Sequence, residues 1–403
     1  MKIIFSYQIE SPDNFAVPKT ILIGLLAAFV IFSGVNAFLL SDVSNYITGK
    51  VLETKELQRP ANLEVVKLVP ENCADCFNIE RIVADLKSKN VNITSEKTIL
   101  ASESEAKQFI EAYGLETLPA LVIAGEINKS ESLQNFFNSV GKIDGEVALY
   151  TKIEPPFFDL KENSIKGRVK VISIVDSGCA NCTNFEGFVD YLRQNGVSIS
   201  ESKEVKWNSA DGKELLKKFG LTKAPGLLVS EDISEYKAIP ALMKSQLNAT
   251  ISGGWFAMSA FKAPYREVNS GKIAGLAELI LLKDSSCLEC YDVSLNKNIL
   301  ARFGIVFGSE KEIDVSSAEG KALVEKYKIK KAPIIIISPD GKYYEEFVSA
   351  WTSSAQNQPA VGSIESDGWY VMRTPEIIGP VRDLETGKVV MPQQEEDMAG
   401  HHG

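Results

Sequence analysis

Apolar and polar positions along this chain repeat one pattern three times, behind a single unbroken apolar stretch. That stretch runs from Thr20 to Leu40, TILIGLLAAFVIFSGVNAFLL, and holds no charged residue. Its 21 residues, at a helical rise of about 1.5 Å each, reach about 30 Å, the thickness of a bilayer's hydrocarbon layer. Each copy of the pattern then opens on a short run rich in branched side chains: LEVVKLV from Leu63, VKVISIV from Val169 and AELILLK from Ala277. Such runs suit strands buried on both faces.

A helical period follows each strand. In the first copy Ile79, Ile82, Val83 and Leu86 share one face. A second helix is marked by Ser102 and Glu105 as a capping pair, with Ala106, Phe109, Ile110 and Tyr113 as its apolar face. Its counterparts run from Ser209 to Phe219 and from Ser317 to Tyr327. Another apolar strand comes next: ALVI from Ala120, GLLV from Gly226 and IIII from Ile334. In the third copy Ser338-Pro339-Asp340-Gly341 reads as a tight turn into a further strand, Tyr343 to Phe347.

All six cysteines lie inside this pattern, as Cys73-Ala-Asp-Cys76, Cys179-Ala-Asn-Cys182 and Cys287-Leu-Glu-Cys290. A proline stands 46 residues after the first cysteine of each pair: Pro119 (119−73), Pro225 (225−179) and Pro333 (333−287). The chain therefore uses one unit three times, with a period of 106 to 108 residues (179−73 and 287−179). A second repeated element lies between units. Pro264-Tyr-Arg-Glu-Val-Asn-Ser-Gly-Lys-Ile matches Pro380-Val-Arg-Asp-Leu-Glu-Thr-Gly-Lys-Val, and Pro156-Phe-Phe-Asp-Leu-Lys-Glu-Asn-Ser-Ile is a weaker version. These segments read as extended connectors that dock neighbouring units, or as plain linkers.

Composition excludes several classes. The net charge is −10, with acidic and basic residues interspersed, which argues against a nucleic-acid partner. The two histidines, His401 and His402, lie at the C-terminal end, so neither a Cys-His catalytic arrangement nor a His-containing zinc site is expected. A zinc site built on two Cys pairs needs them about 15 to 20 residues apart, far closer than these. Paired thiols with none left over suit an oxidising compartment.

Thiol–disulfide exchange needs a thiolate, favoured near a helix N-terminus, and a second thiol one turn on. On that basis Cys73, Cys179 and Cys287 are the candidate nucleophiles, and Cys76, Cys182 and Cys290 the resolving cysteines. Pro119, Pro225 and Pro333 would each offer a carbonyl-lined edge to a substrate backbone. Asp75 and Glu289 stand between their cysteines and should raise thiol pKa there. Asn181 is neutral in the same place, so local charge alone predicts Cys179–Cys182 as the most oxidising pair.

The stretches Tyr113-Gly-Leu-Glu-Thr-Leu-Pro-Ala-Leu-Val-Ile, Phe219-Gly-Leu-Thr-Lys-Ala-Pro-Gly-Leu-Leu-Val and Tyr327-Lys-Ile-Lys-Lys-Ala-Pro-Ile-Ile-Ile-Ile resemble the cis-proline region of thioredoxin-fold proteins. The Cys pairs sit where that superfamily keeps its redox-active pair. The resemblance covers most of residues 62–350 and implies an α/β fold with the three prolines cis and packed on the disulfides. It also implies redox-active disulfides Cys73–Cys76, Cys179–Cys182 and Cys287–Cys290, with no cofactor and no metal. The chain departs from that pattern too. Asn72, Gly178 and Ser286 replace the usual Trp before the first cysteine, and Lys67, Ser173 and Leu281 replace a buried Asp six residues earlier.

The expected organisation is a short N-terminal segment (1–19), a transmembrane signal anchor (20–41), a polar linker (42–61), three tandem thioredoxin-like domains (62–166, 167–274 and 275–391) and a disordered tail (392–403). Val35-Asn36-Ala37 resembles a cleavage site, so a cleaved signal peptide is the alternative to the anchor. The leading segment, with Glu10 and Asp13 in it, favours the anchor. The expected function is thiol–disulfide exchange by a single-pass cell-membrane protein whose domains lie outside the cytoplasm. Its expected partners are the membrane, secreted or surface protein thiols, and a membrane or soluble redox partner. The alternative is a non-enzymatic surface scaffold or binding protein on the same fold.

Overall fold

The structure is a computed structural model that describes residues 18–182, 184–260, 262–354 and 359–392. Residues 1–17 of the N-terminal segment, and residues 393–403 of the tail with both histidines, lie outside the described residues. The chain forms two compact bodies: Met1–Asn72 with Asn78–Ile153, and Cys73–Phe77 with Glu154–Gly403.

The first body opens on one helix, Lys19–Gln58, 40 residues long. Within Ile23–Glu56 it is long and apolar enough to cross a membrane: an 18-residue window there has a mean hydropathy of 2.3 and is not buried. It does not stop at residue 41. The stretch expected as a polar linker continues the helix, because Leu, Glu, Lys and Gln carry most of its last turns and a Lys50–Glu53 pair at 2.7 Å spans one turn. The helix ends where Pro60 forces the residue before it into an extended conformation, and Arg59 takes φ −60° and ψ 139°. Arg59 pairs with Glu126 at 2.6 Å, tying the helix end to the first sheet.

That sheet has five strands in the order Val91–Leu100, Ala61–Val69, Ala120–Gly125, Val147–Tyr150 and Gly141–Asp144. The first two are parallel and the remaining pairs antiparallel. The second body repeats the order twice. One sheet runs Ile199–Lys206, Val169–Val175, Gly226–Ser230, Trp255–Ser259, Thr250–Ser252; the other runs Val306–Asp314, Leu276–Lys283, Ile334–Ile337, Tyr370–Met372, Gly362–Ile364.

Alternation along the strands loads both sheet faces. In the second repeat Val169, Val171, Leu227, Val229 and Phe256 pack with Val189, Leu192 and Met243 of the helices Glu186–Gln194 and Ile239–Leu247. Ile174, Leu228 and Ala257 face the other way, onto Leu216 of Ala210–Lys218. The result is a three-layer α/β unit. Phe256 and Tyr370 are core residues, while Trp255 and Trp369 pack partly buried against the cores.

Two local expectations change. Ser338-Pro339-Asp340-Gly341 does not turn into a strand. It opens a short 3-10 turn, Pro339–Tyr343, and then a helix, Glu345–Thr352, whose Phe347 and Trp351 share one buried face at i, i+4. A helix stands at this place in every repeat, the others being Glu131–Val140 and Ile239–Leu247. The capping residue also shifts in the first repeat. Ser209 and Ser317 cap their helices by accepting from Gly212 N–H and Gly320 N–H, each 16 residues before its proline (225−209 and 333−317). The same count (119−16) reaches Glu103, not Ser102, and Glu103 is the N-cap residue, with no side-chain cap bond.

The connector between the second and third repeats docks them. Tyr265 packs on Tyr343 with ring centroids 5.9 Å apart, and Gly275 N–H donates to Asp340 at 2.8 Å. Gly275 takes φ +80°, and a Cβ there would meet the Ala263 side chain at 2.3 Å, so glycine is required.

Candidate functional site

Each Cys-x-x-Cys closes a disulfide, with Cα atoms 5.2, 5.3 and 5.4 Å apart at Cys73–Cys76, Cys179–Cys182 and Cys287–Cys290. The first two pairs are turns in which the second cysteine's N–H donates to the first one's carbonyl, at 3.3 and 3.2 Å. The following helices begin only at Glu80, Glu186 and Leu295, four, four and five residues past the pairs (80−76, 186−182, 295−290). This corrects the expectation that each pair opens a helix. The dipole's influence falls off within the first turn, so it gives these thiols little help.

Buried charged pairs stand beside the second and third Cys pairs. Asp176 and Asp284 each stand three residues before a first cysteine, with side chains 1% and 4% exposed. Asp176 accepts from Arg266 Nε at 2.7 Å, Gly178 N–H at 3.0 Å and Trp207 Nε1–H at 3.1 Å. Its carboxylate and the sulfurs of Cys179 and Cys182 all lie within 4.8 Å of one another. In the third repeat Arg382 pairs with Asp284 at 3.3 Å and donates to the Ser286 carbonyl at 3.1 Å. The sequence reading missed both aspartates because it looked six residues upstream, where Ser173 and Leu281 stand. The available signal was the shared Asp-Ser of Asp176-Ser177 and Asp284-Ser285.

The arginines come from the connectors, each at the second residue after its proline. Arg266 follows Pro264 and Arg382 follows Pro380. The first connector has Phe158 there, and Arg168 does the equivalent work. Its Nε donates to Asp75 at 2.9 Å, and its Nη2 lies 3.8 Å from Cys73 Sγ. The Arg168 hydrogen bond holds the Asp75 carboxyl below its ordinary range.

Pro225 and Pro333 line the same clefts as the Cys pairs of their repeats. The peptides before Pro119, Pro225 and Pro333 are all cis. Pro225 lines a cleft of about 260 Å³ with Cys179 and Cys182, and Pro333 lines one of about 170 Å³ with Cys287 and Cys290. Cys290 Sγ stands 3.9 Å from the Ala332 carbonyl. Tyr291 donates its hydroxyl to the Pro333 carbonyl at 3.3 Å, and burial pushes its pKa up to about 12. Pro119 lies in the first body, and the Cys73–Cys76 segment counts with the second. Lys67, in the first body, is almost buried and pairs with Glu80 and Glu96 at 2.7 and 2.8 Å.

A parallel strand pair flanked by antiparallel strands, a Cys-x-x-Cys disulfide after the central strand and a cis-proline lining the same cleft now stand together in the second and third repeats. The repeats are thioredoxin-like. No family model matches the sequence, and no curated protein does either. Among solved structures the chain is similar to human ERp44 in its form II, at 9% identity over 79% of this chain and 94% of that one, with a TM-score of 0.14. It is also similar to ERdj5 form II, at 10% identity over 71% of this chain, with a TM-score of 0.15, and it spans only 39% of that chain's length. A protein disulfide oxidoreductase from Aeropyrum pernix K1 matches at 15% identity over 43% of this chain and 78% of its own, with a TM-score of 0.13. Likenesses this distant assign no residue a role, so the roles below rest on this chain's own geometry.

Proposed function

We propose that this chain is a membrane-anchored thiol–disulfide oxidoreductase whose three Cys pairs exchange with thiols and disulfides outside the cytoplasm. The observation that carries the reading is the repeated constellation at Cys179–Cys182 and Cys287–Cys290: a disulfide on a polar cleft, faced by a proline, beside a buried Asp–Arg pair. In the reaction the thiolate of Cys73, Cys179 or Cys287 attacks a client disulfide, and Cys76, Cys182 or Cys290 then resolves the mixed disulfide. The buried Asp176 carboxylate lies within 4.8 Å of both sulfurs of the second pair, and Asp284 lines the cleft of the third. The apolar helix supports a membrane anchor, with secreted or surface proteins among the clients and a further redox partner to reset the pairs.

Two experiments test this. Proteins that keep one Cys pair each, after mild reduction, should take up a thiol label readily near neutral pH and should reduce or oxidise a glutathione couple. Pairs inert to both would favour a scaffold, which the low exposure of Cys179, Cys182 and Cys287 also suits. Protease added to intact cells should digest residues beyond 58. Protection until lysis would place them inside.

A further inference from the structure

We propose that the second and third sites exchange with small thiols and disulfides and exclude extended polypeptide, because the chain's own connectors fill the backbone edge a client strand would use. This rests on the exchange reading above and narrows its substrate class.

A client peptide held by strand addition needs free backbone groups on the edge beside the disulfide. In the second repeat that edge is Lys223–Ala224, just before Pro225, and it is already paired antiparallel with the connector strand Tyr265–Glu267. Val268 N–H extends the pairing to the Thr222 carbonyl at 2.9 Å. The third repeat copies this bond for bond. Lys331–Ala332 pairs with Val381–Asp383, and Leu384 N–H donates to the Lys330 carbonyl at 2.8 Å. The connector is held on the other side of the disulfide too, where Tyr291 N–H donates to the Pro380 carbonyl at 2.8 Å. A second strand of each connector, Ile273–Ala274 or Val389–Val390, backs the first into a hairpin.

What remains open is small. Cys179, Cys182 and Cys287 are 7%, 8% and 8% exposed, and the clefts beside them hold about 260 and 170 Å³. That is below the usual range for a drug-sized ligand. One arm of a small, flexible disulfide RS–SR can enter while the other stays in solvent. The first-cysteine thiolate attacks one sulfur, a Cys–SR bond forms, and RS⁻ leaves and takes a proton from water. The second-cysteine thiolate then attacks the protein sulfur of that bond and releases the other RS⁻. The pair ends oxidised, RS–SR ends as two RSH, and two electrons have passed.

The test uses the full chain with the other four cysteines changed to Ser, leaving Cys287–Cys290. The reduced pair is oxidised either by glutathione disulfide or by the disulfide dimer of an unstructured peptide of about twelve residues with a central cysteine. Oxidation by the peptide should be at least about tenfold slower. Leu384→Pro removes the N–H bonded to Lys330, and should raise the peptide rate by about fivefold or more while leaving the glutathione rate within about twofold. Equal rates with the two oxidants in the unmodified connector background would overturn the proposal, whether or not the proline variant folds. A proline variant that speeds both oxidants alike would overturn it too. No reaction with either oxidant would overturn the exchange reading itself, and this proposal with it.

Discussion

Arg168 Nη2 stands 3.8 Å from Cys73 Sγ while the same guanidinium holds Asp75, the residue between the two cysteines of that pair. Local charge alone counted Asp75 against the Cys73 thiolate. With Arg168 in place the carboxylate is neutralised and a cation faces the sulfur. The first pair should therefore have a more stable reduced form than local charge alone predicts, and rival Cys179–Cys182 as an oxidant. In a protein keeping only the first pair, Arg168→Met should raise the Cys73 pKa, modestly because the arginine is 34% exposed. Thiolate absorbance against pH reads this directly, and an unchanged midpoint would show that the contact does not reach the thiol.

Asp176 joins Arg266, Trp207 and the Gly178 N–H at one almost fully buried point. Asp176→Ala would leave the Arg266 charge 15% exposed and without its carboxylate, at a cost of about 3 kcal/mol. Chemical denaturation of the second body should show that loss, and Asp176→Asn, which keeps an acceptor, should lose less. Equal loss in the two variants would mean that the carboxylate's charge, which both remove, carries the stability and the acceptor adds little; no loss in either would mean the ion pair contributes little.

Gly320 sits where a Cβ would lie 2.0 Å from the Asp314 carbonyl, and Gly212 repeats this against Lys206 at 2.1 Å. The blocking atoms are backbone, so they cannot swing aside. Gly320→Ala should destabilise by about 1 to 3 kcal/mol, lowering the thermal midpoint of the second body. In the first repeat the same place, 13 residues before the proline (119−106), is held by Ala106, so Ala106→Gly there should bring no relief of strain.

Glu126 is held down at about 2 by hydrogen bonds from Arg59 and the Asn62 N–H. A depressed carboxyl favours the folded state above its ordinary value of 4.5, and that contribution is lost as pH falls toward about 2. The tie between the helix end and the first sheet should loosen across that window. The protection of the Asn62 amide, measured against its intrinsic exchange rate at each pH, should fall there in the native protein, and Glu126→Gln should abolish that fall. A fall unaltered by Glu126→Gln would point to another group.

The repeat, its period, the Cys-to-proline spacing and the identity of most helices and central strands could be read from the sequence, because each is set by residues adjacent in the chain or by a side-chain period of about 2 or 3.6. The helix after each proline strand was legible only in part, since Phe347 and Trp351 mark a helical face only once both are known to be buried. What tertiary structure alone decided is the electrostatics of the sites. Asp75 meets Arg168 across 93 residues, Asp176 meets Arg266 across 90, and Ser286 meets Arg382 across 96. No local pattern predicts those pairs, because each joins residues 90 or more apart in the chain that meet only once the chain has folded back: Arg266 and Arg382 come from connectors, Arg168 from the residue before a strand. That same return lays the connectors along the edges before Pro225 and Pro333. Whether those edges were free or filled depends on backbone hydrogen bonds, which any residue but proline can donate, so side-chain identity carries almost no record of it.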